Sequence, residues 1–395
     1  MTRSVQAGAR PSARSITDRL GSATAHLDPP LLALDREALR ANMSDLVRRA
    51  GGTPIRVASK SVRVRSLLDE VLAVDGFVSV MAYSVREAVW LARSGVEDIL
   101  LGYPSVDREG LATVVNDRVL SGRITLMVDS PAHLDAIRAV SESSMVPPRI
   151  CVDVDASLRL GPVHIGVRRS PLREPADVTA FVKIAQDKGF RVVGIMFYEA
   201  QIAGLPDANR AVEWMKRRSA GELAYRRRAV VDAVTEVVGR LEFVNSGGTG
   251  SLEVSAADPA VTEVTAGSGL FGPTLFDRYR AFTPAPALQF ALPVVRTPTD
   301  RIATAFGGGY VASGPTGKSR VPLPQSPFQL MKNEGVGEVQ TPLKHDGRLT
   351  VGDRVWFRHA KAGEVCERFT EVRIVEADGS LTTVPTYRGE GQCFG

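Results

Sequence analysis

Cysteine is scarce in this chain. Only Cys151, Cys366 and Cys393 occur, and no two of them share a paired spacing. That excludes a disulfide framework and a zinc site built from cysteines. Long apolar runs are missing as well. The first 28 residues have no continuous apolar stretch, so they do not read as a secretory signal. Nowhere does the chain approach the roughly 18 consecutive apolar residues that span a bilayer. A cytoplasmic location without a membrane partner is expected. The charge excess is small, +5 over 395 residues, and part of it lies in Arg3, Arg10, Arg14 and Arg19. This basic segment has no interleaved aromatic residue and no motif, so nucleic acid is not an expected partner. Residues 1–28 are read as a flexible basic tail.

What is present is an ordinary globular composition, 44% hydrophobic and 24% charged. The length exceeds one common domain, but fits a β/α barrel of about 250 residues plus a second domain of about 120. Leu31–Asp35 reads as a short strand. In 36–50, Leu39, Met43, Leu46, Val47 and Ala50 fall at helical spacing and make one apolar stripe. From there short β-branched runs alternate with helical stretches. Eight runs are expected as strands: 55–59, 77–81, 98–102, 124–128, 150–154, 191–197, 242–245 and 262–266. Apolar runs buried on both faces, each followed by a helix, mark a parallel sheet, and eight such units suggest closure. After Phe271 prolines punctuate the chain, and 301–305, 355–358, 369–374 and 381–385 look like alternating strands. The expected architecture is α/β, a (β/α)8 barrel over 29–272 with a mostly β domain over 273–395. Leu31–Asp35 precedes the barrel and is a candidate to join the β domain instead.

Chemistry in such a barrel sits at the C-terminal ends of the strands. Lys60 directly follows the first of them, in Arg56-Val57-Ala58-Ser59-Lys60-Ser61. Desolvation by barrel walls would favour its neutral, nucleophilic amine. Taken alone, Lys60 reads more readily as a solvated residue opening a helix. Two glycine-rich turns add weight. Asn245-Ser246-Gly247-Gly248-Thr249-Gly250 follows the seventh strand, and Ala266-Gly267-Ser268-Gly269 follows the eighth. Barrels often hold phosphate with those two loops, because glycine lets the backbone approach and aim several N–H groups at one anion.

The segment from Leu31 to about Phe271 resembles the alanine-racemase-type barrel of fold-type III pyridoxal-phosphate enzymes. Within that group it is most similar to the D-threonine aldolase and D-serine dehydratase branch. Ala58-Ser59-Lys60-Ser61 is similar to the branch's His-Ala-Lys-Thr motif around the cofactor lysine. Gly194-Ile195-Met196-Phe197-Tyr198-Glu199-Ala200-Gln201 resembles its Gly-Leu-x-x-Tyr-x-x-His motif, with Gln201 replacing the histidine. Ser246–Thr249 and Gly267–Gly269 match its two phosphate turns. The resemblance implies pyridoxal 5'-phosphate held by Lys60 as a Schiff base. It also implies cofactor contacts from Tyr198, Ser246, Gly247, Gly248, Thr249, Gly267, Ser268 and Gly269.

Two departures stand out. The branch carries Arg-x-Gly-Val after the fifth strand, its arginine facing the pyridine nitrogen. Here the segment is His164-Ile165-Gly166-Val167, so His164 is the positional match and Arg159 the chemical one. The branch also places a divalent cation with a His-x-Asp or His-x-Cys pair in the β domain. The corresponding residues are His359-Ala360-Lys361, and a protonated ammonium cannot ligate a cation. No metal is therefore expected, although Glu364 and Cys366 are candidates to substitute. His359 and Lys361 are expected to contact the substrate hydroxyl, with His359 as base. Cys151, inside an apolar strand, is expected to be inert core. The activity implied is an aldolase or dehydratase of D-β-hydroxy-α-amino acids. An amino-acid racemase using Tyr310 or Tyr387, and a non-catalytic pyridoxal-phosphate carrier, are the alternatives. A small-molecule amino acid is the expected partner, and a homodimer is left open.

Overall fold

The computed structural model describes residues 13–142, 146–207, 209–315 and 317–395. It begins with helix α1 (Ala13–Ala23), strand β1 (Leu31–Asp35) and helix α2 (Arg36–Ala50). The strands that follow are β2 (Ile55–Ala58), β3 (Phe77–Ala82), β4 (Ile99–Leu101), β5 (Ile124–Val128) and β6 (Arg149–Val154). A hairpin, β7 (Leu158–Leu160) and β8 (Val163–Ile165), precedes β9 (Arg191–Phe197), β10 (Phe243–Ser246) and β11 (Glu263–Ala266). The intervening helices are α3 (Arg65–Leu72), α4 (Val85–Arg93), α5 (Arg108–Val115), α6 (Arg118–Arg123), α7 (Pro131–Arg138), α8 (Pro175–Asp187), α9 (Ala200–Ala203), α10 (Arg210–Val238) and α11 (Leu252–Ala256).

The chain divides into two compact units. One comprises Leu46–Ser59, Leu72–Ala266 and the last two residues. Within it β10-β11-β2-β3-β4-β5-β6-β9 close into an all-parallel barrel. These are the eight runs expected from the sequence, to within one residue at each end. Met81, Leu100, Met127, Cys151, Val193, Met196 and Phe243 pack as one buried cluster. Gly194 makes room for Phe243, since a Cβ there would lie 2.3 Å from its ring. Burying a phenylalanine this way contributes about 2–3 kcal/mol. Arg56, 1% exposed, ties the wall together through Glu263 (2.7 Å) and Asp98 (2.9 Å). Removing one partner from such a network costs about 3–5 kcal/mol. Cys151 is fully buried and burial pushes its thiol well up, as expected of an inert core residue.

The other unit holds the residues up to Asp45, Lys60–Val71 and Gly267–Cys393. Its sheet is built from β12 (Leu288–Thr299), β13 (Ile302–Phe306), β14 (Leu323–Pro324), β15 (Gln329–Leu330), β16 (Gln340–Lys344), β17 (Arg354–Arg358), β18 (Glu371–Val375) and β19 (Leu381–Pro385). The order is β15-β16-β13-β12-β1-β18-β19, with β17 pairing β12 and β14. β1 thus joins this sheet, antiparallel to β12 and parallel to β18. The units interleave along the chain, whereas the sequence reading divides it at 272/273. The twelve-residue β12 was not expected, because Pro293 and Pro298 read as breakers, and the strand β16 was not singled out. β12 accommodates its prolines beside two register irregularities, where ladder bonds are already interrupted.

The tail reading needs correction. Residues 1–12 lie outside the described residues, but Ala13–Ala23 is helical. Ile16 and Leu20, one helical turn apart, are fully buried, and Arg19 pairs with buried Asp35 at 2.6 Å. Two apolar residues four apart suffice to dock a short helix when a strand lies alongside, and neither makes a continuous run.

Candidate active site

Lys60 sits on a 3₁₀ turn, Ser59–Ser61, immediately after β2. The Ser59 hydroxyl donates to the Met81 carbonyl at 3.0 Å and so fixes where the strand ends. Lys60 itself is exposed, so the chain's own side chains do not supply the desolvation expected from the sequence. Its backbone is gripped. Arg63, at φ 54°, donates from Nε to the Lys60 carbonyl at 3.1 Å and pairs with Glu367 at 2.9 Å. The Tyr387 amide donates to the Arg63 carbonyl at 2.9 Å. Gly363 presses on the same carbonyl: at φ +88° it carries no Cβ, and one built there would stand 1.9 Å from the Lys60 oxygen.

That glycine ends the segment that bears His359 and Lys361. His359 is 2% exposed, its Nδ1 lies 3.2 Å from the Leu288 carbonyl, and its ring meets Phe271 edge-on. Burial, assisted by the Arg358 charge, lowers its pKa to about 3, so the imidazole is neutral. Its Nε2 is buried with no partner among the described residues. With Nδ1 donating, Nε2 is an acceptor looking for a hydroxyl or other donor. A histidine held neutral to about 3 accepts a hydrogen bond well and takes up a proton poorly. The base role expected for His359 is thereby reduced to that of a hydroxyl contact. Lys361 Nζ donates to the Ser313 hydroxyl at 3.1 Å. Glu364 accepts from the Ser313 amide at 2.8 Å, and burial pushes the Cys366 thiol up to about 12. Among the described residues no group of three or more His, Cys, Asp and Glu is arranged to hold a metal ion.

The turn after β10 is organised by Glu199, a residue the sequence reading did not single out. Its buried carboxylate accepts from the Ser246, Ser251 and Ser255 hydroxyls and from the Gly247 amide (3.2 Å). Arg227 donates to Ser246 at 2.9 Å and pairs with Asp258. The Ser246 hydroxyl is committed to this network, which corrects its expected part as a phosphate donor. Gly247 needs φ +90° and donates inward, and the Gly248 amide donates to Ser251 Oγ at 3.1 Å. A Cβ on Gly248 would lie 3.1 Å from Ala203 and 3.5 Å from the Tyr198 ring, so these two side chains lie close over the turn. Thr249 is buried and its carbonyl accepts from Arg49 at 2.6 Å. In the other unit Gly267 leads into the 3₁₀ turn Ser268–Leu270, anchored where Asn42 donates to the Leu270 carbonyl at 2.9 Å.

Arg159 and His164 face each other across the β7–β8 hairpin. Arg159 is half exposed and paired with Asp155 at 2.9 Å, while His164 Nε2 lies 3.2 Å from the Val167 carbonyl. Gln201 turns inward, donating to the Ala156 carbonyl and the Ser219 hydroxyl at 2.7 Å each. It is a packing residue, tied to the chain's own groups. The cation at the strand ends is instead Arg169, its guanidinium 5.2 Å from the Tyr198 ring centroid and 5.7 Å from that of Tyr103. Burial pushes the Tyr198 phenol up to about 12. Asp153, in β6, is pushed up to about 7 by burial and by the Asp129 charge, with Arg169 opposing. Asp129 follows β5 and pairs with His133 at 3.1 Å; burial raises it too. Sequence reasoning missed Tyr103, Asp129, Asp153 and Arg169. For Tyr103, Asp129 and Asp153 the available signal was their position within or just after C-terminal strand ends; Arg169, well beyond β6, carried none.

The closed parallel barrel, a lysine ending its first strand and two glycine turns after its last two strands define a class of cofactor-bearing barrel. Residues 34–274 match the family described as alanine racemase, N-terminal domain, and the chain belongs to that family. Its cofactor is pyridoxal 5'-phosphate, and an exposed lysine at the end of a strand fits a group held through an imine. No curated protein matches the chain. Among solved structures it is similar to D-threonine aldolase from Filomicrobium marinum, with a TM-score of 0.78 and 19% identity over 92% of this chain and 97% of that one. D-threo-3-hydroxyaspartate dehydratase from Delftia sp. HT23 gives 0.72 and 20%, over 91% and 97%. Alanine racemase from Clostridium difficile 630, in complex with cycloserine, gives 0.62 and 15%, over 91% and 99%. Among the described residues no helix is long and apolar enough to cross a membrane.

Proposed function

We propose that this chain is a pyridoxal-phosphate-dependent lyase, an aldolase or dehydratase of D-β-hydroxy-α-amino acids. The observation that carries this reading is the contact of Gly363 with the Lys60 carbonyl, which seats the His359–Lys361 segment on the lysine's own turn. A carrier of the cofactor needs no second element against its lysine; a lyase needs a group for the substrate hydroxyl. The full-length likeness to an aldolase and a hydroxyaspartate dehydratase, stronger than that to alanine racemase, supports the same reading. The tyrosines considered for a racemase are otherwise engaged. Tyr387 is 1% exposed, and Tyr310 packs against Phe290 and Phe369.

When bound, the cofactor supplies an electron-withdrawing ring conjugated to the substrate amine. In this proposal Lys60 would hold it, Thr249, Gly267, Ser268 and Gly269 would be its phosphate contacts, and Tyr198 with Arg159 or His164 would contact the ring. Gly247 and Gly248 shape the turn. The Lys60 amine would move the proton at the α-carbon in the dehydratase course. His359 Nε2 accepts from the β-hydroxyl and orients it. The Lys361 ammonium stabilises negative charge developing on that oxygen, a task a point cation performs without bidentate geometry. Incubation with D- and L-β-hydroxy-α-amino acids is expected to give glycine plus an aldehyde, or a 2-oxo acid plus ammonia, from D-substrates. Racemisation of alanine with neither product would overturn the assignment.

Because Lys361 stands where a metal ligand would be needed, activity is expected to survive prolonged EDTA treatment. Lys361→Asp is expected either to acquire metal dependence or to lose activity about 10²-fold. Chelator-sensitive activity restored by manganese or zinc would contradict this and make His359 a metal ligand. A side chain at Gly248 must displace Ala203 or Tyr198 and cover the turn. Gly248→Val is therefore expected to raise the dissociation constant for pyridoxal phosphate at least about tenfold in a fluorescence titration. An unchanged constant would place the phosphate elsewhere.

A further inference from the structure

Among the arginines between β6 and α8, Arg159 and Arg173 both pair with Asp155, at 2.9 and 3.3 Å. Arg169 has neither an ion pair nor a hydrogen bond among the described residues, and its guanidinium rests near the Tyr103 and Tyr198 rings. Tyr103 follows β4 and Tyr198 follows β9, and in the barrel β5 and β6 stand between those strands. A guanidinium within reach of both rings therefore lies over the ends of β5 and β6. Two carboxylates lie inward of it. Met127 and Cys151 belong to the interior cluster, and side chains two residues further on share their face, so Asp129 and Asp153 form the next layer towards the mouth. Met127 and Val128 pair with Cys151 and Val152, which brings Asp129 beside Asp153. Asp129 has His133 at 3.1 Å. Asp153, 7% exposed, receives no side-chain hydrogen bond among the described residues and is supported only by the adjacent Val154 amide.

We propose that Arg169 and Asp153 form a carboxylate subsite at the mouth of the barrel, Arg169 donating the edge of its guanidinium and Asp153, as a neutral carboxyl, donating one further hydrogen bond. Tyrosine faces steady the guanidinium plane and leave its edge to a planar anion. Two carboxylates side by side inside a barrel do not both keep a charge. The proton falls to Asp153, because Asp129 has the histidine. Burial, and then the Asp129 charge, push the Asp153 carboxyl up to about 7, with Arg169 opposing. A carboxyl kept neutral is a donor; ionised, it would face the ligand as a second anion. Round the ring of eight strands, β6 stands opposite β2, the strand that leads to Lys60, and β5 stands opposite β11. The subsite is thus across the barrel from the turn after β11. Given the proposed action on amino acids, on which this rests, the anion is a substrate carboxylate, either the one on the α-carbon or one carried by the side chain.

Butanoate, a carboxylate without an amine, probes the subsite apart from any reaction. In calorimetric titration of the cofactor-loaded chain, Arg169→Met should weaken butanoate about 10–100-fold and Arg169→Lys less, with the dissociation constant for pyridoxal phosphate within about twofold of wild type. Unchanged butanoate affinity in Arg169→Met, or cofactor affinity falling alongside it, would overturn the proposal. Wild-type affinity should fall as pH rises through about 7, approaching tenfold per unit, as Asp153 loses its proton. The charged and titratable groups around Asp153 are Asp129 with His133, Asp155, Arg169, Tyr198 and, beneath it, Cys151. Asp153→Asn keeps a donor at every pH and should flatten the profile; a slope surviving in that variant belongs to Asp129 and His133 and would overturn the role of Asp153. D-serine and 3-hydroxy-D-aspartate separate the two carboxylates. A KM raised for both by Arg169→Met assigns the α-carboxylate, and a KM raised for the second alone assigns the side-chain carboxylate. A change in neither counts against the subsite. Butanoate bound as expected without lyase turnover would refute the proposed activity and leave the subsite standing.

Discussion

Replacing Lys60 by alanine is expected to reduce turnover by a factor on the order of 10⁴ or more, the usual scale for deleting an enzyme's nucleophile. The loss should come with a second signature. Wild-type protein loaded with pyridoxal phosphate should show a visible band that borohydride bleaches, leaving the cofactor's mass on the peptide containing Lys60. The variant should bind the cofactor without that covalent mark. The argument runs from position to chemistry. Lys60 ends the first barrel strand, its carbonyl is pinned by Arg63 and Gly363, and its side chain is exposed, hence open to an incoming aldehyde. A borohydride-fixed adduct persisting in Lys60→Ala would move the assignment to another lysine.

The second large effect is expected at Gly363, far from Lys60 in sequence. Valine there meets two penalties. The backbone must keep φ +88°, which costs an L-residue about 1–3 kcal/mol, more for a β-branched one. Its Cβ must also find room 1.9 Å from the Lys60 oxygen, which is backbone and cannot swing aside. Either the lysine turn or the His359–Lys361 segment has to shift. A displacement of about 1 Å at a reacting centre costs on the order of 10²-fold in rate. Gly363→Val should therefore lower kcat/KM about 10²-fold and stability by about 2–4 kcal/mol. Gly352→Val is the control, since φ is +96° there and a Cβ would meet nothing within 4 Å. It should show the strain without the catalytic loss. Equal effects from the two would mean that the contact with Lys60 does not matter.

The barrel was legible because its strands are buried on both faces. Such strands write themselves as apolar runs regardless of their neighbours, and the alternation with helices then gives the parallel order. Lys60 and the glycine turns were legible for a related reason, since their meaning follows from where a strand ends. β1 was ambiguous because its five buried residues look alike in a barrel or in a sheet, and only pairing with β12 and β18 decides. β12 was hidden by prolines that its bulges tolerate.

Within the site, residue types alone misjudged what each polar group is free to do. Ser246 reads as a phosphate donor until Glu199 and Arg227 are seen to consume it, and Gln201 reads as a rim residue until Ala156 and Ser219 claim it. His359 reads as a base until burial is seen to hold it neutral. Sequence by itself determined the closed barrel, because it depends on periodicity along single strands; Lys60 and the two turns took their proposed role from the family resemblance and not from the residues alone. Tertiary structure alone decided that the His359–Lys361 segment is seated on the Lys60 turn, that Glu199 shapes the turn after β10, and that Arg169 stands between two tyrosines. Those facts depend on contacts between residues far apart in the chain, and on burial, which sets the charge and the hydrogen-bond partners of a side chain without changing its name.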